Sequence, residues 1–195
     1  VTSLVIVGSD TENTIDLSGM TAADYSFFDA GTGLGIQISV DGDDGNDTII
    51  GSADLGGTLI GGDGADTITG SGGNELINAG DGADSIIAGG GNDTVLGGDG
   101  NDIITMSGYG QDTWAGGGND TITVNGDRSF VAAGTGDDEV YVTGDQAAVH
   151  GQDGNDTVSV TGNDAFINGG ADNDAITLSG ENAVVWGGSG SDSIT

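Results

Sequence analysis

The chain has no cysteine, no proline, a single cation (Arg128) and a single histidine (His150). Without cysteine, no disulfide can supply stability, and the redox compartment is not legible from thiols. One arginine against 32 acidic residues gives a formal charge of −31. Such a chain has nothing with which to neutralise phosphate, which excludes nucleic acid and argues equally against anionic lipid. No apolar run approaches the roughly 18 residues of a membrane span. Zinc would require histidine or cysteine, and His150 is alone. Aromatic residues make up only 5%, a composition that with high net charge would ordinarily indicate disorder. The sequence starts at Val1 and stops at Thr195 within a motif strand. It therefore reads as an excerpt of a longer or processed protein, in which missing targeting signals mean little.

What is present is glycine, 42 residues of it, arranged with aspartate in a repeat. The stretch Gly97-Gly98-Asp99-Gly100-Asn101-Asp102-Ile103-Ile104-Thr105 shows the unit: six residues that turn, then three that extend. In steps of nine from Asp66, the sixth position is Asp66, Glu75, Asp84, Asp93, Asp102, Gln111, Asp120, Ser129, Asp138, Ala147, Asp156, Ala165, Asp174, Ala183 and Asp192. Two residues beyond each stands an isoleucine or valine, except at Thr113. Such self-similarity marks a solenoid, whose stability builds from neighbouring coils and not from one globular core.

The pattern G-G-x-G-x-D-x-U-x, with U aliphatic, closely resembles the RTX calcium-binding nonapeptide repeats. The copies at 61–69, 97–105 and 187–195 keep all three glycines and the aspartate. The resemblance implies an all-β, right-handed parallel β-roll (a β-solenoid) with 18-residue coils, two nonapeptides to a coil. Residues 41–195 form this roll, and residues 1–40 read as degenerate N-terminal coils or a cap. In that N-terminal part Val1–Val7, Thr14–Leu17 and Gly35–Val40 read as strands, and Thr21–Phe28 as a helical turn or loop. From Asp47 to Asp66 the step is nineteen residues, which predicts one inserted residue.

Alternate units fall on opposite edges. On the edge of Asp66 every sixth residue is aspartate as far as Asp192, whereas the other edge runs from Glu75, Asp93 and Gln111 to Ser129, Ala147, Ala165 and Ala183. Stacked strands lie about 4.7–4.9 Å apart, and calcium–oxygen bonds measure about 2.3–2.6 Å. An ion midway between two stacked aspartates therefore reaches both. Left uncompensated, that column of like charges would be destabilising at every step. Magnesium demands a stricter octahedron and holds its waters, so several Ca2+ ions, up to eight along the edge that includes Asp47, are the expected cofactors.

In the RTX family the second, fourth and sixth loop positions ligate the ion. Carried over residue by residue, the resemblance implicates Asp43, Gly45 and Asp47; Gly62, Gly64 and Asp66; Gly80, Gly82 and Asp84; Gly98, Gly100 and Asp102; Gly116, Gly118 and Asp120; Gly134, Gly136 and Asp138. It also implicates Gln152, Gly154 and Asp156; Gly170, Asp172 and Asp174; Gly188, Gly190 and Asp192. On the second edge it reaches only Gly89, Gly91 and Asp93. Gln152 and Asp172 stand where the family pattern has glycine, so the turn there departs from it.

Outward positions on the strands that follow the second edge carry Trp114, Phe130, His150, Phe166, Val184 and Trp186. Exposed aromatics on one face mark a contact surface, for self-assembly or a cell-surface glycan, or else are covered by the rest of a longer protein. The opposite outward face is rich in threonine, as in ice-binding solenoids, but Ile87, Ile103, Glu139, Tyr141 and Ala175 interrupt the array. Nothing assembles into a catalytic constellation, so an enzyme, including a polysaccharide-modifying one, is the weaker reading. The resemblance implies a secreted bacterial protein, exported by a type I system and folded by calcium outside the cell. Within that class the expected role is a module of a surface layer, adhesin or filament. The alternative is a folding and secretion appendage of an enzyme or toxin encoded elsewhere in the protein.

Overall fold

A computed structural model describes residues 3–20 and 37–195. Among these there is no helix. The chain runs back and forth between two ten-stranded parallel sheets, with successive strands alternating between them. The first sheet holds β1 (Ser3–Val7), β3 (Gln37–Asp44), β5 (Gly57–Asp63), β7 (Leu76–Asp81), β9 (Thr94–Asp99), β11 (Asp112–Gly117), β13 (Phe130–Thr135), β15 (Ala148–Asp153), β17 (Phe166–Ala171) and β19 (Val184–Ser189). The second holds β2 (Thr14–Asp16), β4 (Thr48–Ile50), β6 (Thr67–Ser71), β8 (Ser85–Gly89), β10 (Ile103–Ser107), β12 (Thr121–Asn125), β14 (Glu139–Thr143), β16 (Thr157–Thr161), β18 (Ala175–Ser179) and β20 (Ser193–Ile194). The architecture is the parallel β-solenoid expected from the repeat.

The period of the sequence is the register of the sheets. Ile104 pairs with Ile122, and Val140 with Val158, one coil of eighteen residues apart. Between β3 and β5 the partners are Val40 and Leu59, a step of nineteen. The extra residue lies in the turn after β4, because β5 and β7 are back in the eighteen-residue step, with Leu59 opposite Ile77. The first coil breaks the period: Ser3 pairs with Gln37, and Thr14 with Thr48. The residues between β2 and β3 carry no repeat motif. The expected turn at Thr21–Phe28 lies outside the described residues.

The repeat's aliphatic positions build the core. Ile49, Ile68, Ile104, Ile122 and Val140 stack in one sheet, and Val40, Val95, Val131, Val149 and Ile167 in the other, all at 0% exposure. Where the second edge loses its acidic residues, Met106, Val124, Val142 and Val160 add a further buried row. Thr113, the one hydroxyl among the aliphatic positions, donates to the Met106 sulfur, which lets a polar group sit in the apolar stack. No single residue here is large. The fold depends on each coil covering the next.

Close coil stacking makes some glycines obligatory. Gly98 has φ +120°, and a Cβ added there would lie 1.8 Å from the Gly80 carbonyl oxygen. Gly72 has an ordinary φ, and nothing lies nearer than 3.9 Å to its Cβ position. Gly98→Ala is expected to cost about 3 kcal/mol or more, through strain and overpacking, whereas Gly72→Ala stays within about 0.5 kcal/mol. Melting midpoints of the two variants in saturating calcium check this, and equal midpoints would contradict the stacking argument.

Candidate metal-binding edge

The first edge comprises the turns that lead from the first sheet to the second, such as 97–102 between β9 and β10. Each places its sixth residue inward. Asp47, Asp66, Asp84, Asp102, Asp120, Asp138, Asp156 and Asp174 are all 1–2% exposed, an unusual setting for carboxylates without a cationic partner. Each reaches back one coil. Asp102 Oδ1 accepts the Asp84 amide at 2.9 Å, Asp120 Oδ1 the Asp102 amide at 2.8 Å, and Asp138 Oδ1 the Asp120 amide at 2.8 Å. The same bond recurs from the Asp47 amide to Asp66 at 2.7 Å and from the Asp174 amide to Asp192 at 3.1 Å. Asp192, in the last turn, is only half-buried.

The second oxygen of every one of these buried aspartates has no partner. Oδ2 of Asp47, Asp66, Asp84, Asp102, Asp120, Asp138, Asp156 and Asp174 is buried and makes no hydrogen bond. A buried, unpaired carboxylate oxygen is costly, and here it recurs coil after coil.

Main-chain carbonyls complete the surroundings. The second and fourth positions of the turns have left-handed φ throughout, from 74° at Asp43 to 146° at Gly82. Asp43, Gln152 and Asp172 adopt the same conformation, at 74°, 86° and 74°, although they are not glycine. The turn thus survives each departure from the motif. In this conformation the carbonyls of the second and fourth residues aim along the solenoid at the next turn. The carbonyl oxygens of Gly80 and Gly82 lie 1.8 and 1.7 Å from where a Cβ of Gly98 and Gly100 would stand. Of the residues implicated by the repeat, those on this edge therefore line one continuous column of carbonyls and half-satisfied carboxylates.

Burial sets the electrostatics of the column. It pushes the carboxyl of Asp102 up to about 7, against the Asp84 amide bond that lowers it and with the Asp84 and Asp120 charges raising it further. Asp138 is likewise raised to about 7, and Asp84 and Asp156 to about 6, with burial the leading cause in each. Asp66, Asp120 and Asp174 shift in the same direction for the same reason. These groups resist ionisation unless a positive charge is supplied.

Among the described residues no three His, Cys, Asp or Glu side chains converge as a conventional metal cluster. The column answers a different demand. Hard oxygen donors, two carboxylates shared between coils and the balance from main-chain carbonyls, suit calcium. A model of the RTX calcium-binding nonapeptide repeat matches residues 39–54, 56–85, 69–104, 114–145 and 150–183, more than half of the chain. The chain belongs to this family. No curated protein and no solved structure matches it. RTX repeats bind calcium, and the column of orphaned oxygens fits that ion.

The second edge of this RTX solenoid is different. Asp93 is 1% exposed, with Oδ1 accepting the Glu75 amide at 2.9 Å and Oδ2 unpaired. Its carboxyl is raised to about 6, chiefly by burial, with the Glu75 amide bond lowering it and the Glu75 charge raising it. Glu75 is satisfied within its own turn by the Ser71 hydroxyl and amide. From Gly110 onward main-chain bonds tie each turn to the next: the Gly110 amide donates to the Asp127 carbonyl at 2.9 Å, and the amides of Arg128, Gln146 and Asp164 to those of Asp145, Asn163 and Glu181 at 2.8 Å. Ala147 and Ala165 fill the places that aspartate holds on the first edge, at 1% and 2% exposure.

Two features were not read from the sequence. The fifth turn positions form an outer ladder, with Oδ1 of Asn101, Asn119 and Asp137 accepting the amides of Asn119, Asp137 and Asn155 at 2.7–2.9 Å. The signal was present as Asn or Asp recurring every eighteen residues. The second is the interlocking of the aromatic residues. Trp114–Phe130, Phe130–His150, His150–Phe166 and Phe166–Trp186 have ring centroids 5.3, 5.6, 5.6 and 5.4 Å apart. Trp114 and His150 flank Ala132 in one column, and Phe130 and Phe166 flank Ala148 in the other. Large and small residues alternate, so the rings zigzag up the face within contact range of one another.

Proposed function

We propose that this chain is a calcium-set structural module of a secreted bacterial protein, disordered where calcium is scarce and a rigid rod where it is plentiful. The observation that carries this reading is the column of buried aspartates, each with one oxygen tied to the neighbouring coil and the other unpaired. Bound calcium supplies the divalent charge and the oxygen coordination that two stacked carboxylates lack. Asp66, Asp84, Asp102, Asp120, Asp138, Asp156 and Asp174 hold the register of the coils through Oδ1 and offer Oδ2 to the ion. The second- and fourth-position carbonyls, such as those of Gly98 and Gly100, complete the donor set. On the second edge Asp93 keeps the same arrangement, with Oδ1 on the Glu75 amide and Oδ2 unpaired, whereas the carbonyls of Gly89 and Gly91 accept from the side chains of Ser107 and Gln111.

The ring ladder favours a module with a contact surface of its own over a passive folding and secretion appendage. Trp114 and Trp186 are 41% and 60% exposed, on a chain that is elsewhere strongly acidic. We assign this face to contact in a surface layer, adhesin or filament, through self-assembly or a cell-surface glycan. The reading gives the segment no catalytic residue.

Small-angle scattering with light scattering on the same sample tests the proposal. A chain of this length is expected to contract from a radius of gyration of roughly 45–50 Å when unfolded to about 15 Å as a rod of ten stacked coils. Growth in mass with calcium supports the assembly role, and loss of that growth in Trp186→Ser assigns it to the ladder. A calcium-loaded chain as expanded as the chelated one would sink the module reading.

A further inference from the structure

The second edge changes character within one turn, and the change has a defined chemistry. In turn 88–93, Gly89 and Gly91 have φ of 97° and 125°, the conformation that on the first edge leaves two carbonyls facing the next coil. Here both are taken. The Ser107 hydroxyl donates to the Gly89 oxygen at 2.7 Å, and the Gln111 Nε2 donates to the Gly91 oxygen at 2.8 Å. Gln111 is fully buried, and the orientation of its amide follows from its partner, because a carbonyl only accepts. On the first edge the corresponding carbonyls receive a side-chain donor only in the first turn, 8–13, where the Asn13 side-chain amide donates to the Ser9 and Thr11 oxygens; from turn 42–47 onward, among the described residues, no side chain donates to them.

The backbone is adjusted to the same end. The ladder between β8 and β10 slips by one residue after Thr105: Thr105 faces Ile87, but Met106 faces Gly89. That slip carries Ser107 beyond the strand pair and over the Gly89 carbonyl. We propose that Ser107 and Gln111 stand in for a cation between turns 88–93 and 106–111, and so end the ion column on this edge. One hydroxyl and one amide occupy the carbonyls that an ion would otherwise gather, and they need no ion to do so. The Asp93 carboxylate leans the other way, to the Glu75 amide, with Oδ2 unpaired, which puts any ion of this edge between turns 70–75 and 88–93, where the Ser71 carbonyl already accepts the Gly90 amide. Beyond Gln111 the turns have no such place.

This inference rests on the calcium reading, and ion counting separates the two. Native mass spectrometry and equilibrium dialysis of the full chain with calcium alone give the number bound. The variant Ser107→Gly/Gln111→Asp removes both donors and returns glycine and aspartate to the second and sixth turn positions, with Met106 and Tyr109 unchanged, and is expected to bind one more calcium ion than the parent. A folded double variant with the parent's count would overturn the proposal, whereas a parent that binds no calcium would overturn the calcium reading itself. A second variant covers failure of the first to fold. Gln111→Met keeps the length but removes the donor, leaving the Gly91 carbonyl unpaired. Its ion count is expected to equal the parent's, while its melting midpoint in saturating calcium falls by about 3–8 °C. An unchanged midpoint would mean that the amide substitutes for nothing.

Discussion

In excess chelator at neutral pH the chain is expected to give the far-ultraviolet circular dichroism of an unfolded polypeptide, and in millimolar calcium that of a β-protein. Three observations lead there. The core residues are small and each coil depends on its neighbours, so little apolar area is available to an isolated coil. The buried carboxylates of the first edge have no cation of the chain to pair with, since Arg128 is the only basic residue. Each ion would bridge two coils and so carries folding from one to the next. Extracellular modules bind calcium at about 10⁻⁴–10⁻³ M. With an affinity of ~0.1 mM and ~1 mM calcium, each site adds about 1.4 kcal/mol, and eight sites ~11 kcal/mol, comparable to the whole net stability of a domain. The titration should therefore be steep, with magnesium unable to replace calcium. A fully β-structured chain in chelator would show that the aspartate column is satisfied in some other way.

Acid is expected to do part of what calcium does. Carboxyls raised in the folded chain, Asp102 and Asp138 to about 7 and Asp84 and Asp156 to about 6 from an ordinary 3.8, bind more protons folded than unfolded between these values. The ion-free fold therefore gains stability as pH falls from 7 toward 4, and loses it as pH rises through 6–7. Protons and calcium compete for the same oxygens, so the calcium midpoint moves the opposite way, rising by about tenfold or more between pH 8 and pH 6. Circular dichroism in chelator at pH 4.5 and 7.5, with calcium titrations at pH 6 and 8, checks both halves. Equal unfolding at the two chelated conditions would mean that the carboxylates are not what opposes folding.

Much of this was legible because the side-chain pattern and the backbone repeat share one period. The lock between Asp66 and Ile68, repeated to Asp192 and Ile194, identifies turn, strand and core together. The nineteen-residue step from Asp47 to Asp66 predicted a single insertion, and the register places it after β4. What escaped was whatever depends on conformation and not on residue type. Asp43, Gln152 and Asp172 adopt the left-handed turn without glycine, held by the turns stacked on either side. The first coil hides its length, since residues 17–36 carry no motif to count by. Trp114, Phe130, His150, Phe166 and Trp186 could be assigned to one face, but their interlocking depends on two adjacent columns whose small residues fall opposite the rings. Ser107 and Gln111 read as lost ligands, and only their hydrogen bonds reveal replacement donors.

The stacking has a consequence for the chain as a polyelectrolyte. Ten strands to a sheet, at about 4.8 Å between neighbours, make a rod roughly 43 Å long. A net charge of −31 over that length is one charge per ~1.4 Å, denser than the ~1.7 Å of duplex DNA. Folded without calcium, the solenoid would have to hold a condensed atmosphere of monovalent counterions around it. Calcium uptake is then an exchange of that diffuse cloud for a few fixed divalent ions, with the entropy of the released counterions adding to the attraction of each site.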